Sequence, residues 1–76
     1  MDLGIVKEHL ALAEQHVAQG HEHVAKQRRI VADLETDGHV DAAVKGRALL
    51  AEFEKLLAMH IADRDRLRKE LGECPS

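Results

Sequence analysis

The chain has 76 residues, a formal net charge of -3, one aromatic residue and one cysteine. The acidic balance and the single aromatic side chain, Phe53, argue against a dedicated nucleic-acid binder, which needs basic patches and stacking residues. The lone Cys74 excludes a disulfide within the chain and favours a reducing compartment. A single domain this small buries only about 60% of its unfolded surface, so a metal ion or an oligomer is expected to support it.

An apolar ladder with alternating spacings of three and four predicts a first helix from about residue 3 to residue 36. The side chain of Asp2 is predicted to cap its first turn. The residues of this ladder are Leu3, Val6, Leu10, Ala13, Val17, Gly20, Val24, Gln27, Val31 and Leu34.

A turn is predicted over about residues 37–40, because Gly38 can take the left-handed conformation that ends a helix. Asp41 is expected to cap the second helix. A connector this short forces two consecutive helices to run antiparallel.

A second ladder predicts a helix over about residues 41–71, ended by Gly72 and Pro75 and followed by a frayed tail over residues 72–76. Leu49, Leu56 and Ile61 widen its apolar face beyond a two-stranded seam. The ladder itself consists of Ala43, Gly46, Leu50, Phe53, Leu57, His60, Arg64, Leu67 and Leu71.

The two ladders match when facing residues have numbers that sum to 77. This register places Gly20 opposite Leu57 and Gly46 opposite Val31, so that each glycine faces a larger side chain. The predicted fold is therefore all-α, a coiled-coil-like antiparallel hairpin forming a single domain over residues 1–76. Because such a hairpin leaves apolar surface in water, we expect a homodimer with four helices. The predicted core and interface residues are Leu10, Val17, Val24, Leu50, Phe53, Leu57, His60, Arg64 and Leu67.

Histidines are the unusual feature of the composition. His9, His16 and His23 recur every seven residues along one shoulder of the first helix, and the register places His16 near His60. Facing imidazoles can bind zinc or a similar ion, and these four histidines are weak candidate ligands. Their spacing counts against a metal site, since ligands on one helix usually lie three or four residues apart. No cofactor or metal is therefore predicted, and histidines bonded to neighbours and water are favoured.

Two polar residues, His60 and Arg64, occupy ladder positions where a simple core has apolar side chains. Such residues can set register or partner number in coiled coils. The alternative is that Arg64 lays its methylenes over Ala13 and sends its guanidinium to solvent, while His60 bonds a neighbour.

The sequence has no recognisable catalytic or nucleotide-binding motif, and no apolar run in it has the length of a signal-peptide core or a membrane span. We therefore expect a non-enzymatic, cytoplasmic interaction or oligomerisation module. It is expected to bind its own copy or another protein through an exposed helix face, and neither nucleic acid nor membrane. A histidine-based metal-binding or pH-responsive bundle is the alternative.

One further set of residues extends over nearly the full chain and consists of His9, His16, Gly20, Val24, Gln27, Asp37, Gly38, His39, Leu49, Leu50, Phe53, Glu54, His60 and residues 63–67. In these residues the chain resembles small hypothetical helical-hairpin proteins of alpha-proteobacteria. This resemblance implies a bacterial cytoplasmic hairpin and implies neither an activity nor a site.

Overall fold

The computed structural model describes residues 2–73 of the chain. Two α-helices of 34 residues each, α1 (Leu3–Thr36) and α2 (Val40–Glu73), pack against each other as an antiparallel hairpin. The described residues contain no β-strand. The Cα trace forms a rod of 58 × 14 × 13 Å, and the predicted all-α two-helix hairpin is confirmed.

The two ends of α1 follow the predicted chemistry. At the start, the carboxylate of Asp2 accepts a hydrogen bond of 2.8 Å from the backbone N–H of Gly4. At the end, Gly38 has a φ of 78° in the left-handed region, which is accessible to glycine without steric strain. The N–H of His39 then donates to the carbonyl of Leu34 at 2.9 Å, as in a Schellman motif.

Both ends of α2 differ from the prediction. The helix begins at Val40, and the N–H of Ala43 donates to the carbonyl of His39 at 2.9 Å. The prediction that Asp41 caps α2 is therefore wrong: Asp41 lies in the first turn, where a carboxylate favours the positive end of the helix dipole. The helix also continues through Gly72, which does not adopt a positive φ. Residues 74–76 of the predicted frayed tail lie outside the described residues.

The predicted register is confirmed at both mid-helix glycines. A Cβ added at Gly20 would lie 3.0 Å from Cδ1 of Leu57, and one added at Gly46 would lie 3.1 Å from Cγ2 of Val31. Apart from Leu3, which is exposed at the open end of the hairpin, every residue of both predicted ladders is buried or half-buried. The ladders are therefore the contact surface between α1 and α2.

Most of the buried positions of this seam carry small side chains. The buried residues are Val6, Ala13, Val17, Val24, Val31, Ala43, Gly46, Leu67 and the polar Gln27. The larger predicted core residues Leu10, Leu50, Phe53 and Leu57 are half-buried. Within residues 2–73, no side chain is less than 2% exposed. The hairpin alone therefore leaves part of the surface of its bulkiest apolar residues in water.

The packing at Gly46 predicts the effect of Gly46→Ala on the free energy of unfolding. Alanine favours the helix by about 1 kcal/mol, but its methyl group must displace Val31, a buried β-branched side chain with few rotamers. Overpacking of this kind costs about 1–3 kcal/mol, so a net loss of stability is expected in urea denaturation at fixed protein concentration. Gly72→Ala is the control, because a Cβ there meets no atom within 4 Å, and it should stabilise by up to ~1 kcal/mol. Equal gains from both variants would contradict tight packing at Gly46.

Candidate functional site

The two flanks of the helix seam differ in chemistry. Residues two apart on an α-helix point about 200° apart, so Glu14 and His16 lie on opposite sides of the seam. On the side of Glu14, three ion pairs join α1 to α2, and we name this side the ion-pair flank. The pairs are Glu14–Arg68 at 3.8 Å, Arg28–Glu54 at 3.9 Å and Glu35–Arg47 at 3.4 Å.

These ion pairs are exposed, so each contributes only about 0–1 kcal/mol to stability. The paired charged side chains cover this side of the rod with polar groups. Two arginines of the half of the rod nearer the turn, Arg28 and Arg47, have acidic partners here. This flank is therefore a surface of mixed charge.

On the side of His16, three adjoining hollows run along the rod, and we name this side the histidine face. Neighbouring hollows share His16 or His23, so the face is continuous along much of both helices. The face is lined from α1 by His9, Leu12, His16, Gln19, His23, Lys26 and Ile30, and from α2 by Leu49, Phe53, Leu56, His60, Asp63 and Arg66.

The exposed apolar side chains are concentrated on the histidine face. Nine large hydrophobic residues are exposed in the described part of the chain, and four of them, Leu12, Ile30, Leu49 and Leu56, line the hollows. Helical periodicity places two more of them on the histidine face. Ile5 lies two turns before Leu12, and Met59 lies about one turn after Leu56. The others are Leu3, Val40 and Val44.

The four candidate histidines all reach this face, but only two of them form a contact between imidazoles. The rings of His16 and His60 have centroids 5.1 Å apart and planes inclined at 45°, as the register predicts for their positions. His23 instead packs against Phe53, with centroids 5.7 Å apart. His9 lines the same hollow as Asp63. Within residues 2–73, no three metal-ligating side chains of one chain converge on a single point.

Arg64 is bonded to its neighbour on the same helix, and its role in setting register or partner number stays a prediction. Its Nε and Nη2 atoms donate to Oδ1 of Asp65 at 3.1 and 3.0 Å, and its side chain is 23% exposed. Arg64 is therefore half-buried at its ladder position, while the exposed Asp65 holds its guanidinium. His60 remains half-buried, with His16 as its ring partner.

The polar residue that the sequence interpretation missed is Gln27. Its side chain is buried, and Nε2 donates a hydrogen bond of 3.0 Å to the carbonyl of Gly46 on the other helix. Gln27 is the only polar residue in the predicted ladder of α1, and that property is the signal that could have identified it. A buried polar contact across the seam favours one register, because a slip would leave the amide without its partner.

No protein-family model matches the sequence, and neither a curated protein nor a solved structure is significantly similar to it. The resemblance to hypothetical proteins of alpha-proteobacteria therefore stays a prediction. Within residues 2–73, neither helix combines the length and the apolar character that a membrane crossing requires. Any functional proposal must accordingly rest on the geometry of the hairpin.

The Gln27 contact predicts that Gln27→Ala lowers the free energy of unfolding by about 2 kcal/mol, through loss of a buried hydrogen bond and of packing against Gly46. Gln15→Ala is the matched control, since Gln15 is exposed on the same helix and its loss should change stability by less than about 0.5 kcal/mol. Urea denaturation followed by circular dichroism measures both. Equal effects would show that the contact does not stabilise the hairpin.

Proposed function

We propose that this chain is a non-enzymatic interaction module that binds a second copy of itself through the histidine face, so that two hairpins form a four-helix bundle. The observation that supports this proposal is the uneven distribution of exposed apolar side chains. Six of nine lie on the histidine face, whereas the opposite flank carries the three ion pairs between α1 and α2. Exposed apolar surface concentrated in this way is typical of interaction sites.

The size of the rod supports a second copy as the occupant of the histidine face. One whole side of the rod, 58 by 14 Å, has a projected area of about 800 Å². Stable protein interfaces bury about 800 Å² on each partner. A second hairpin has the same length and can cover the whole face, which a short peptide or a small globular domain cannot do.

The incomplete core supports the same occupant. Phe53 is half-buried, and Leu56 and Leu49, which line the same face, are 48% and 47% exposed. Removing apolar surface from water is worth about 25 cal/mol per Å², so a partner that covers these side chains adds stability that one hairpin lacks. Chains this small usually need such support.

The remaining functional questions are enzymatic activity, location and pH dependence. We propose no enzymatic activity, because the hollow around His16 and His60 is lined by packing residues, an amide and imidazoles, without an assembled nucleophile. A bacterial cytoplasmic setting and a response to mild acidification stay predictions.

The proposed dimer predicts that Leu56→Glu converts a particle of about 17 kDa, twice the chain mass of 8.5 kDa, into a monomer. The reason is that a carboxylate in a packed apolar interface must lose its water. We expect the dimer dissociation constant to rise by at least ~100-fold, equivalent to about 2.8 kcal/mol. Light scattering and sedimentation equilibrium measure this change independently of the rod shape.

The control variant is Val44→Glu. Val44 is 52% exposed, close to the 48% of Leu56, but it lines none of the hollows of the histidine face. It should leave the mass at about 17 kDa and the helicity unchanged. A wild-type monomer at millimolar concentration, or equal loss of dimer in both variants, would overturn the proposal. A hetero-partner on the histidine face would then be the remaining occupant.

A further inference from the structure

We propose that His16 and His60 form half of a binding site for a divalent transition-metal ion, which a second copy of the chain completes. The ion would lie between two histidine faces and bind two imidazoles from each copy. This inference rests on the proposed pairing of the chain with itself. It adds a ligand class to the histidine face and a reason for polar side chains near its centre.

The spacing of the two rings fits shared coordination. Zinc binds imidazole nitrogen at about 2.0–2.1 Å with tetrahedral angles, which places the centroids of two imidazoles on one ion about 5 Å apart. The centroids of His16 and His60 are 5.1 Å apart. His16 is exposed and His60 is half-buried, so the pair is already close together and accessible from the histidine face.

A single chain supplies too few ligands for a closed site. No third histidine, cysteine, aspartate or glutamate of residues 2–73 joins the pair at a distance suitable for a common ion. His23 is held against Phe53, and Asp63 lies 3.5 Å from Nη2 of Arg66. Structural zinc sites have four protein ligands, so two copies with two imidazoles each supply the required number.

The pair is placed so that symmetry can bring two copies of it together. His16 lies three to four residues from the middle of α1, and His60 lies equally far from the middle of α2. At 1.5 Å per residue, both are about 5 Å from the centre of the rod, on the side of the open end. If the two-fold axis runs parallel to the rod, the two His16–His60 pairs face each other when the two histidine faces overlap fully. If the axis is perpendicular to the rod, the two copies run antiparallel, and the pairs face each other after one copy shifts by about 10 Å along the rod.

The surroundings of the His16–His60 pair suit a site in which neutral imidazoles bind a transition-metal ion such as Zn²⁺. Imidazole favours Zn²⁺, Co²⁺, Ni²⁺ and Cu²⁺ over Mg²⁺ and Ca²⁺, which prefer oxygen ligands. Gly20, Phe53 and Leu56 line the same hollow and would exclude water from the ion once a second copy covers it. The charged groups that line the face, Lys26, Asp63 and Arg66, belong to the hollows on either side.

Titration of the chelator-treated protein with Co²⁺ and Zn²⁺ tests the inference. Co²⁺ in a tetrahedral nitrogen site gives visible absorption bands, and calorimetry with Zn²⁺ gives the stoichiometry. We expect one ion for every two chains. Loss of a residue that only orients a metal ligand lowers metal affinity by ~10–100-fold. His16→Ala should lower the affinity by more than this, because it removes two direct ligands from each site. His60→Ala should have the same effect.

His21→Ala is the matched control. His21 is exposed on α1 midway between Glu14 and Arg28, on the ion-pair flank, and its loss should leave both the stoichiometry and the affinity unchanged. Circular dichroism verifies that each variant keeps its helicity. The absence of metal binding, one ion per chain, or equal loss of binding in the His16 and His21 variants would overturn the shared site.

The molar mass in excess chelator separates this inference from the proposed function. A metal-free dimer that binds no ion supports the apolar pairing and overturns the metal site. A metal-free monomer that becomes a dimer on adding half an equivalent of Zn²⁺ supports the metal site and overturns pairing by apolar contacts alone. A chain that stays monomeric with and without Zn²⁺ overturns both.

Discussion

The close contact at Gly46 sets the alignment of the two helices, on which the rest of the structure depends. The side chain of Val31 approaches where Gly46 has no Cβ, and the amide of Gln27 donates to the Gly46 carbonyl. A slip of α2 by one residue would move each side chain 1.5 Å along the rod and turn it by about 100°. The His16–His60 contact, 14 residues from Gly46 along α2, would then be lost. The histidine face therefore depends on a contact near the opposite end of the rod.

Much of the hairpin could be predicted because helix periodicity and end signals are local. The ladders identified the buried positions, Asp2 identified the start of α1, and Gly38 identified the turn. The errors came from signals that are locally ambiguous. An aspartate such as Asp41 is favourable both as the N-cap and within the first turn of a helix. The helix begins at Val40, one residue before the predicted start at about residue 41, and the N–H of Ala43 donates to the carbonyl of His39. Gly72 resembles a helix end, but a glycine ends a helix only where the chain turns left-handed.

The difference between the two flanks was harder to predict, because it depends on which long side chains meet across the seam. The ladder sum of 77 describes the seam, whereas the ion pairs join residues whose numbers sum to 82. Applying that second sum to Glu14, Arg28 and Glu35 would have identified their partners, but ion pairs between exposed side chains also require suitable rotamers. The nearness of His16 and His60 followed from the register alone, since two short side chains near the seam have little freedom to separate.

The same geometry explains why a histidine face can combine affinity with selectivity. Apolar side chains such as Leu56 and Leu49 favour almost any partner of similar shape, because the hydrophobic effect has no direction. Imidazoles at the middle of the face are costly to bury without a partner, so a hairpin that cannot satisfy His16 and His60 binds less well. A second copy presents the same two rings at the same height, and an ion between them would satisfy all four. In the proposed dimer, the polar residues would therefore favour a partner with matching groups, and a second copy of the chain has them.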